Sequence, residues 1–258
     1  MYNVQIKWLT VACFELRFGD TTVVTDPCIT KVRTNDLTWE AVEGCDIIAV
    51  THIHWDHVTD IPALLEKYPA PVLTGSLSAM PLLKWLNCNA SQIYPVDVGT
   101  ELDFGDVRVK ALFGRHTTGG IKYDALLEGF EKNHWIADDP GLKEIQPWGS
   151  LEYRNFLFTD RNGTKVLFWG NEPTQTQKNM VRELKPDIAI LQLSRQNPAA
   201  MAEFAAISGC KVVIPHHMDL LKSREQYLPS VERMKQEFLK LVPDGVFVTP
   251  ENGRWVEL

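Results

Sequence analysis

The 258-residue sequence holds five cysteines, Cys13, Cys28, Cys45, Cys88 and Cys210, an odd number with no CxxC pair among them. A disulfide framework is therefore not expected. Each thiol reads as a small buried hydrophobe in a reducing compartment. No apolar run approaches the roughly 20 residues that span a bilayer. The opening MYNVQIKWLTVACFELRF has one lysine, no long apolar core and no small-residue cleavage site, unlike a secretory signal. A cytoplasmic protein with no membrane attachment is the expectation. Basic charge is in deficit: 26 Lys and Arg stand against 33 Asp and Glu, a formal charge of −7. Without a basic run, long nucleic acid is not the expected partner; a small molecule is, and a homo-oligomer stays open. Repeats and low-complexity segments are also missing. What remains is ordinary globular composition, 45% hydrophobic and 23% charged, in a chain long enough to bury a full core.

The hydrophobic patterning predicts strands over VQIKWL, CFELRF and TTVVTD within residues 4–27, with a turn at Gly19-Asp20. DIIAV (46–50) is a short continuous apolar run, as in a strand buried on both faces. TDIPALLEKY (59–68) then reads as a helix, capped by Thr59 or Asp60 with Pro62 in its first turn. Further on, PVLTG, DVRVKALFG, YRNFLFTDRNGTKVLFWG, PDIAILQL and CKVVIPHHMD read as strands. SLSAMPLLKWL, TQTQKNMVREL, MAEFAAIS and about Ser230 to Leu241 read as helices. The tail GVFVTPENGRWVEL predicts a hairpin or edge strand. Strands followed by strand–helix alternation occur twice, which implies a mixed α/β domain with helices outside two packed sheets. Residues 117–152 break this rhythm and read as an insertion, a candidate lid, carrying Trp135 and Trp148.

Six of the seven histidines fall in three places, each after a predicted strand: His52, His54 and His57; His116; and His216 and His217. Ligands at strand ends can converge on one rim of a sheet. His52 and His54 are two apart, so an extended backbone points them the same way. Asp56 and His57 follow where the chain turns into a helix and can point elsewhere. That layout can serve two adjacent metals, and imidazole with carboxylate suits zinc, or manganese or iron. His134, outside these places, reads as a loop residue.

THIHWDH matches the His-x-His-x-Asp-His signature of the metallo-β-lactamase fold superfamily, and the resemblance extends over most of the chain. TTVVTDP is similar to the family's third strand, GRHT to its third-histidine motif, and VVIPHHMD to its closing Pro-x-His motif. The arrangement most resembles the branch of L-ascorbate-6-phosphate lactonase-like proteins. The resemblance implies a four-layer αββα sandwich spanning residues 1–258 as a single domain, with a dinuclear site at one edge. It implies that His52, His54 and His116 hold one metal and Asp56, His57 and His217 the other. Asp26 resembles a family aspartate that buttresses the site, and His216 is a residue behind the ligands or facing substrate. The iron-dependent oxidoreductase branch is disfavoured, since it has Glu where this chain has His54.

One position departs from the pattern. The family's bridging aspartate follows Gly, but here Gly170 is followed by Asn171 in VLFWGNEP. A neutral amide at this candidate bridging position offsets no charge between two cations, so one or two ions are expected, the second held more weakly. The implied activity is hydrolysis of a small ester or lactone, phosphorylated or not, by a metal-activated water, with His54 and Asp56 as the catalytic candidates. A phosphodiesterase acting on a small phosphodiester or nucleotide, and a metal-binding module without turnover, are the alternatives. Trp55 and Arg115 are candidates for the substrate pocket.

Overall fold

The computed structural model describes residues 2–116, 138–193, 196–256 and 258. Two seven-stranded sheets form the centre. The first contains β1 (Val4–Thr10), β2 (Cys13–Phe18), β3 (Thr21–Thr25), β4 (Ile47–Ala49), β5 (Val72–Gly75), β6 (Ile93–Val96) and β14 (Arg254–Val256). Its order is β14-β1-β2-β3-β4-β5-β6. The second contains β7 (Glu101–Asp103), β8 (Val107–Phe113), β9 (Arg154–Asp160), β10 (Lys165–Trp169), β11 (Ile188–Gln192), β12 (Val212–His216) and β13 (Val246–Phe247), in reverse chain order across the sheet.

Each sheet joins an antiparallel part to a parallel part. β1–β2–β3 and β7–β8–β9–β10 are antiparallel, whereas β3–β4–β5–β6 and β10–β11–β12–β13 are parallel. The parallel strands β4, β5, β11 and β12 are buried at every position, as their unbroken apolar runs require. The sheets face each other through aromatic side chains. Phe14 of β2 meets Phe168 of β10 edge-on at 6.0 Å, and Phe18 meets Phe158 of β9 at 6.0 Å. Truncating one such ring typically costs about 3–5 kcal/mol.

The helices are α1 (Trp55–Val58), α2 (Ile61–Lys67), α3 (Ser76–Leu86), α4 (Pro140–Leu151), α5 (Gln175–Leu184), α6 (Pro198–Ser208) and α7 (Arg224–Leu241). α3 packs on β5 and β6, and α7 packs on α6 and β13. This is the expected mixed α/β layout.

Three expectations are refined. α7 begins at Arg224, because Ser223 and Gln226 form a capping box there and Pro229 is absorbed inside the helix. Of the two expectations for the tail, the edge strand holds and the hairpin does not: β13 forms the edge of the second sheet beside β12, and β14 crosses to form the edge of the first beside β1. Within the expected insertion, residues 117–137 lie outside the described residues, His134 and Trp135 among them. Its remainder is chiefly the helix α4, started by Asp139, whose side chain accepts from Leu142 N, and by Pro140 at the first position.

The topology brings the C-terminal ends of β3, β4, β8, β10 and β12 to one rim. Asp26, the THIHWDH loop, His116, Asn171 and His217 follow those ends.

Candidate metal centre

The loop after β4 is built on Asp26. Its backbone N–H donates to Ala49 O at 3.0 Å, and its buried carboxylate accepts from Thr51 N and Thr51 Oγ1, each at 2.7 Å. Asp26 has φ +40°, His217 +60° and Val11 +47°. Left-handed backbone is uncommon outside glycine and costly for a β-branched residue such as Val11. The two other such residues described, Asn87 and Lys185, are ordinary helix C-caps. Val11 and His217 hold each other: His217 N donates to Val11 O at 2.7 Å. Buried Asp219 accepts from Val11 N at 2.8 Å, and Trp8 Nε1 also donates to Val11 O, at 3.1 Å. The strain is thus confined to the rim and sustained by buried hydrogen bonds.

The hydrogen bonds also assign ring protons. The Thr51 hydroxyl donates to the Asp26 carboxylate, which can only accept. Thr51 Oγ1 must then accept from His52 Nδ1, 3.0 Å away. His52 therefore directs the lone pair of Nε2 inward. His57 Nδ1 donates to Asp26 Oδ2 at 2.8 Å, so its Nε2 is likewise turned inward. The inward atoms form two sets, His52, His54 and His116, and Asp56, His57 and His217, each with ligand atoms within 4.8 Å of one another.

Spacing fits a cation in each set. Tetrahedral ligands about 2.0–2.1 Å from zinc lie about 3.4 Å apart. His52 Nε2 and His54 Nδ1 are 3.1 Å apart, His217 Nε2 and Asp56 Oδ2 3.4 Å, and His57 Nε2 and Asp56 Oδ2 3.8 Å. His217 Nδ1 is buried without a hydrogen-bond partner.

Electrostatics favour the same reading. Burial, then the neighbouring imidazoles, lower the pKa of His52 well below the histidine range. Burial and His116 take His54 down to about 3. Both rings are therefore neutral, the form that ligates metal. Burial pushes Asp56 up, but His57 and His217 outweigh it and hold the carboxyl well below its usual range. Burial lowers His57, but Asp26 and Asp56 outweigh it and raise the ring.

The other expected site residues fall differently. His216 is fully buried, stacked on Phe168 at 4.9 Å with Nε2 on Trp169 O at 3.0 Å. It faces the core, not a substrate, because β12 turns outward only at His217. Trp55 also belongs to the core, and its backbone N–H donates to Gln146 Oε1 at 2.8 Å. Arg115 is exposed beside His116. Asn171 Oδ1 accepts from Arg115 N and Asn155 Nδ2, both at 3.3 Å, while Nδ2 donates to Glu172 O at 2.7 Å and Gln177 Oε1 at 3.3 Å. Its amide is engaged in holding the loop that leads to His116.

Sequence reasoning missed four contributors. Gln146, Gly149 and Ser150 of α4 reach the ligand loop; the Asp139-Pro140 start signal marks the helix, but nothing local marks its target. Tyr153 is buried, its ring 4.8 Å from that of His52 and its hydroxyl bonded to the Thr51 side chain. Gly170 makes room for it, since a Cβ there would lie 1.4 Å from the Tyr153 hydroxyl. Trp148 lines an open, largely apolar groove of about 960 Å³ between α3 and α4, with Leu77, Met80, Trp85 and Ile145. None of the six ligand candidates lines that groove.

Known proteins share stretches of this sequence and this fold. The family model described as "Beta-lactamase superfamily domain" matches residues 5–217. A UPF0173 protein of Pyrococcus furiosus is 27% identical over 146 residues, 55% of this chain and 65% of that protein's length. A UPF0173 metal-dependent hydrolase of Thermoplasma volcanium is 28% identical over 236 residues, 83% of this chain and 96% of the relative. Among solved structures, Igni18, a metallo hydrolase of Ignicoccus hospitalis, superposes with a TM-score of 0.71 at 14% identity, covering 98% of this chain and 97% of that one. Among the described residues no helix is long and apolar enough to cross a membrane.

Proposed function

The chain belongs to the β-lactamase superfamily domain family, and from that membership we propose that it is a metal-dependent hydrolase that opens small esters or lactones with water. The observation that carries this reading is the pair of converging ligand sets on one rim. The two sets would hold two divalent ions, zinc by preference for imidazole and carboxylate donors. Bound there, such ions polarise the substrate's carbonyl or phosphoryl oxygen and acidify water.

The chain's own residues supply the rest. Asp56 is ionised and its side chain is 14% exposed, so it reaches the open side of the rim, where it orients water and accepts its proton. His54 would hold the first ion together with His52 and His116. His57, backed by Asp26, and His217, held by Val11, keep their nitrogens beside Asp56. Arg115 stands at the edge next to His116, where a phosphate on the substrate would meet it. The net charge of −7 suits a small substrate rather than long nucleic acid.

The test is a panel of lactones and carboxylic esters, with and without a phosphate group, beside bis(p-nitrophenyl) phosphate. Zinc-dependent ester or lactone turnover, abolished by chelation and restored by metal, is expected. Faster cleavage of the phosphodiester would replace this reading with a phosphodiesterase. No turnover at full metal occupancy would make the chain a binding module.

A further inference from the structure

The C-terminal turn of α4 lies directly against His54. Ser150 Oγ is 2.8 Å from His54 Nε2. Gly149 sits so close that a Cβ would be 2.6 Å from His54 Cδ2 and 2.7 Å from His54 N. One turn earlier, the fully buried Gln146 accepts from Trp55 N at 2.8 Å and has its Nε2 3.5 Å from Ile53 O. Gln146 itself is anchored by donating to Leu142 O at 2.8 Å. The backbone is therefore held on both sides of His54 by Gln146, and the ring is held by Ser150. These contacts come from a helix some 90 residues away in sequence.

We propose that Ser150 is a positioning residue for the first metal, acting as the hydrogen-bond partner of His54 Nε2 so that Nδ1 is the ligating atom. The proposal rests on the reading of His52, His54 and His116 as a metal site. The logic follows from the donor count. A neutral imidazole has one N–H and one lone pair. If Nδ1 ligates, Nε2 carries the proton, and in this position that proton has Ser150 Oγ as its acceptor. A serine hydroxyl both donates and accepts, so the same contact survives if the proton sits on Nδ1 and points at His52 Nε2 in the metal-free chain. Ser150 thus satisfies His54 in both states, and relocation of the proton between the two nitrogens through solvent leaves the ring neutral. Thr51 does the equivalent for His52 with a fixed direction, because its own proton is given to Asp26. Partners of this kind set ligand orientation and typically change metal affinity by about 10–100-fold.

The experiment compares wild type, Ser150→Ala, Ser150→Thr and His54→Ala by titrating metal-free protein with Zn²⁺ against a chromogenic chelator. Histidine ¹⁵N NMR of each zinc-loaded protein is recorded alongside. We expect Ser150→Ala to weaken one of the two zinc steps about 10–100-fold, leave the other unchanged and lose the protected His54 Nε2 proton. Ser150→Thr, which keeps the hydroxyl, should restore both. If Ser150→Ala binds zinc like wild type while His54→Ala loses one ion, the proposal fails and the metal site stands. If His54→Ala binds as much zinc as wild type, the metal reading beneath it fails.

Discussion

His52, His54 and His116 bring three imidazoles to one point, whereas Asp56, His57 and His217 bring two imidazoles and a carboxylate. What stands behind each set differs too. The first is backed by hydroxyls, Thr51 on His52 and Ser150 on His54, and by close packing of α4. The second is backed by charge and strain: Asp26 behind His57, and the left-handed pair Val11 and His217 fastened by Asp219. A doubly charged ion in the first set gains no anionic ligand; one in the second gains Asp56 directly and Asp26 through His57. The two positions should therefore bind, lose and respond to substitution separately.

The strongest way to break this comparison is Asp56→Ala. It should lower hydrolysis by about 10²–10⁴-fold and remove only the second ion, read by steady-state kinetics and elemental analysis. Loss of both ions would mean that the sets are one site. Asp26→Asn should weaken the second ion about 10–100-fold, measured by chelator competition, since the carboxylate behind His57 is neutralised, and weaken the first by less, since Asp26 reaches His52 only through Thr51. Asn171→Asp keeps the acceptor for Arg115 N but loses the donors to Glu172 O and Gln177 Oε1. It should lower the stability of the metal-free chain by about 1–3 kcal/mol by denaturant titration while tightening the second ion, as an added carboxylate would.

Gly149→Ala sharpens the other half. In most helix interiors this change stabilises by about 0.5–1 kcal/mol. Here the new methyl would strike His54, so thermal melting should show a loss of about 1–3 kcal/mol and weaker binding of the first ion only.

The remaining effect is with pH. His54 is held near 3 in the folded chain against 6.5 when unfolded, so between those values the unfolded chain binds more protons. Stability of the metal-free protein should then fall as pH drops below about 6.5, by up to about 1.4 kcal/mol per pH unit for each such ring. His52 and His216, also lowered, add to this. His57 is raised and acts oppositely: its contribution is complete below 6.5 and is lost as pH rises through its folded value. Melting temperature against pH reads the balance, and a lower midpoint at pH 5 than at pH 7 is expected.

The sheets and the ligand loop were legible because their signals are local. Short apolar runs such as DIIAV and VVIP match strands buried on both faces, and His-x-His-x-Asp-His places its side chains by its own spacing. The supports were not legible, because they are long-range. Ser150 and Gln146 sit in a helix whose Pro140, Gly141, Pro147 and Gly149 disguise it, and nothing near them names His54 as the target. Val11 lies between two predicted strands with no local sign of its left-handed backbone, which Asp219, far along the chain, sustains by accepting its N–H. Asn171 was noticed as a departure from the family, but its engagement with Arg115, Asn155 and Gln177 follows only from the packing of three separate elements.

The most direct measurement is anomalous X-ray diffraction from crystals of the zinc-loaded protein, collected above and below the zinc edge. Two anomalous peaks are expected, one among His52, His54 and His116 and one among Asp56, His57 and His217. No peak in either set, or a single ion shared by both, would contradict it.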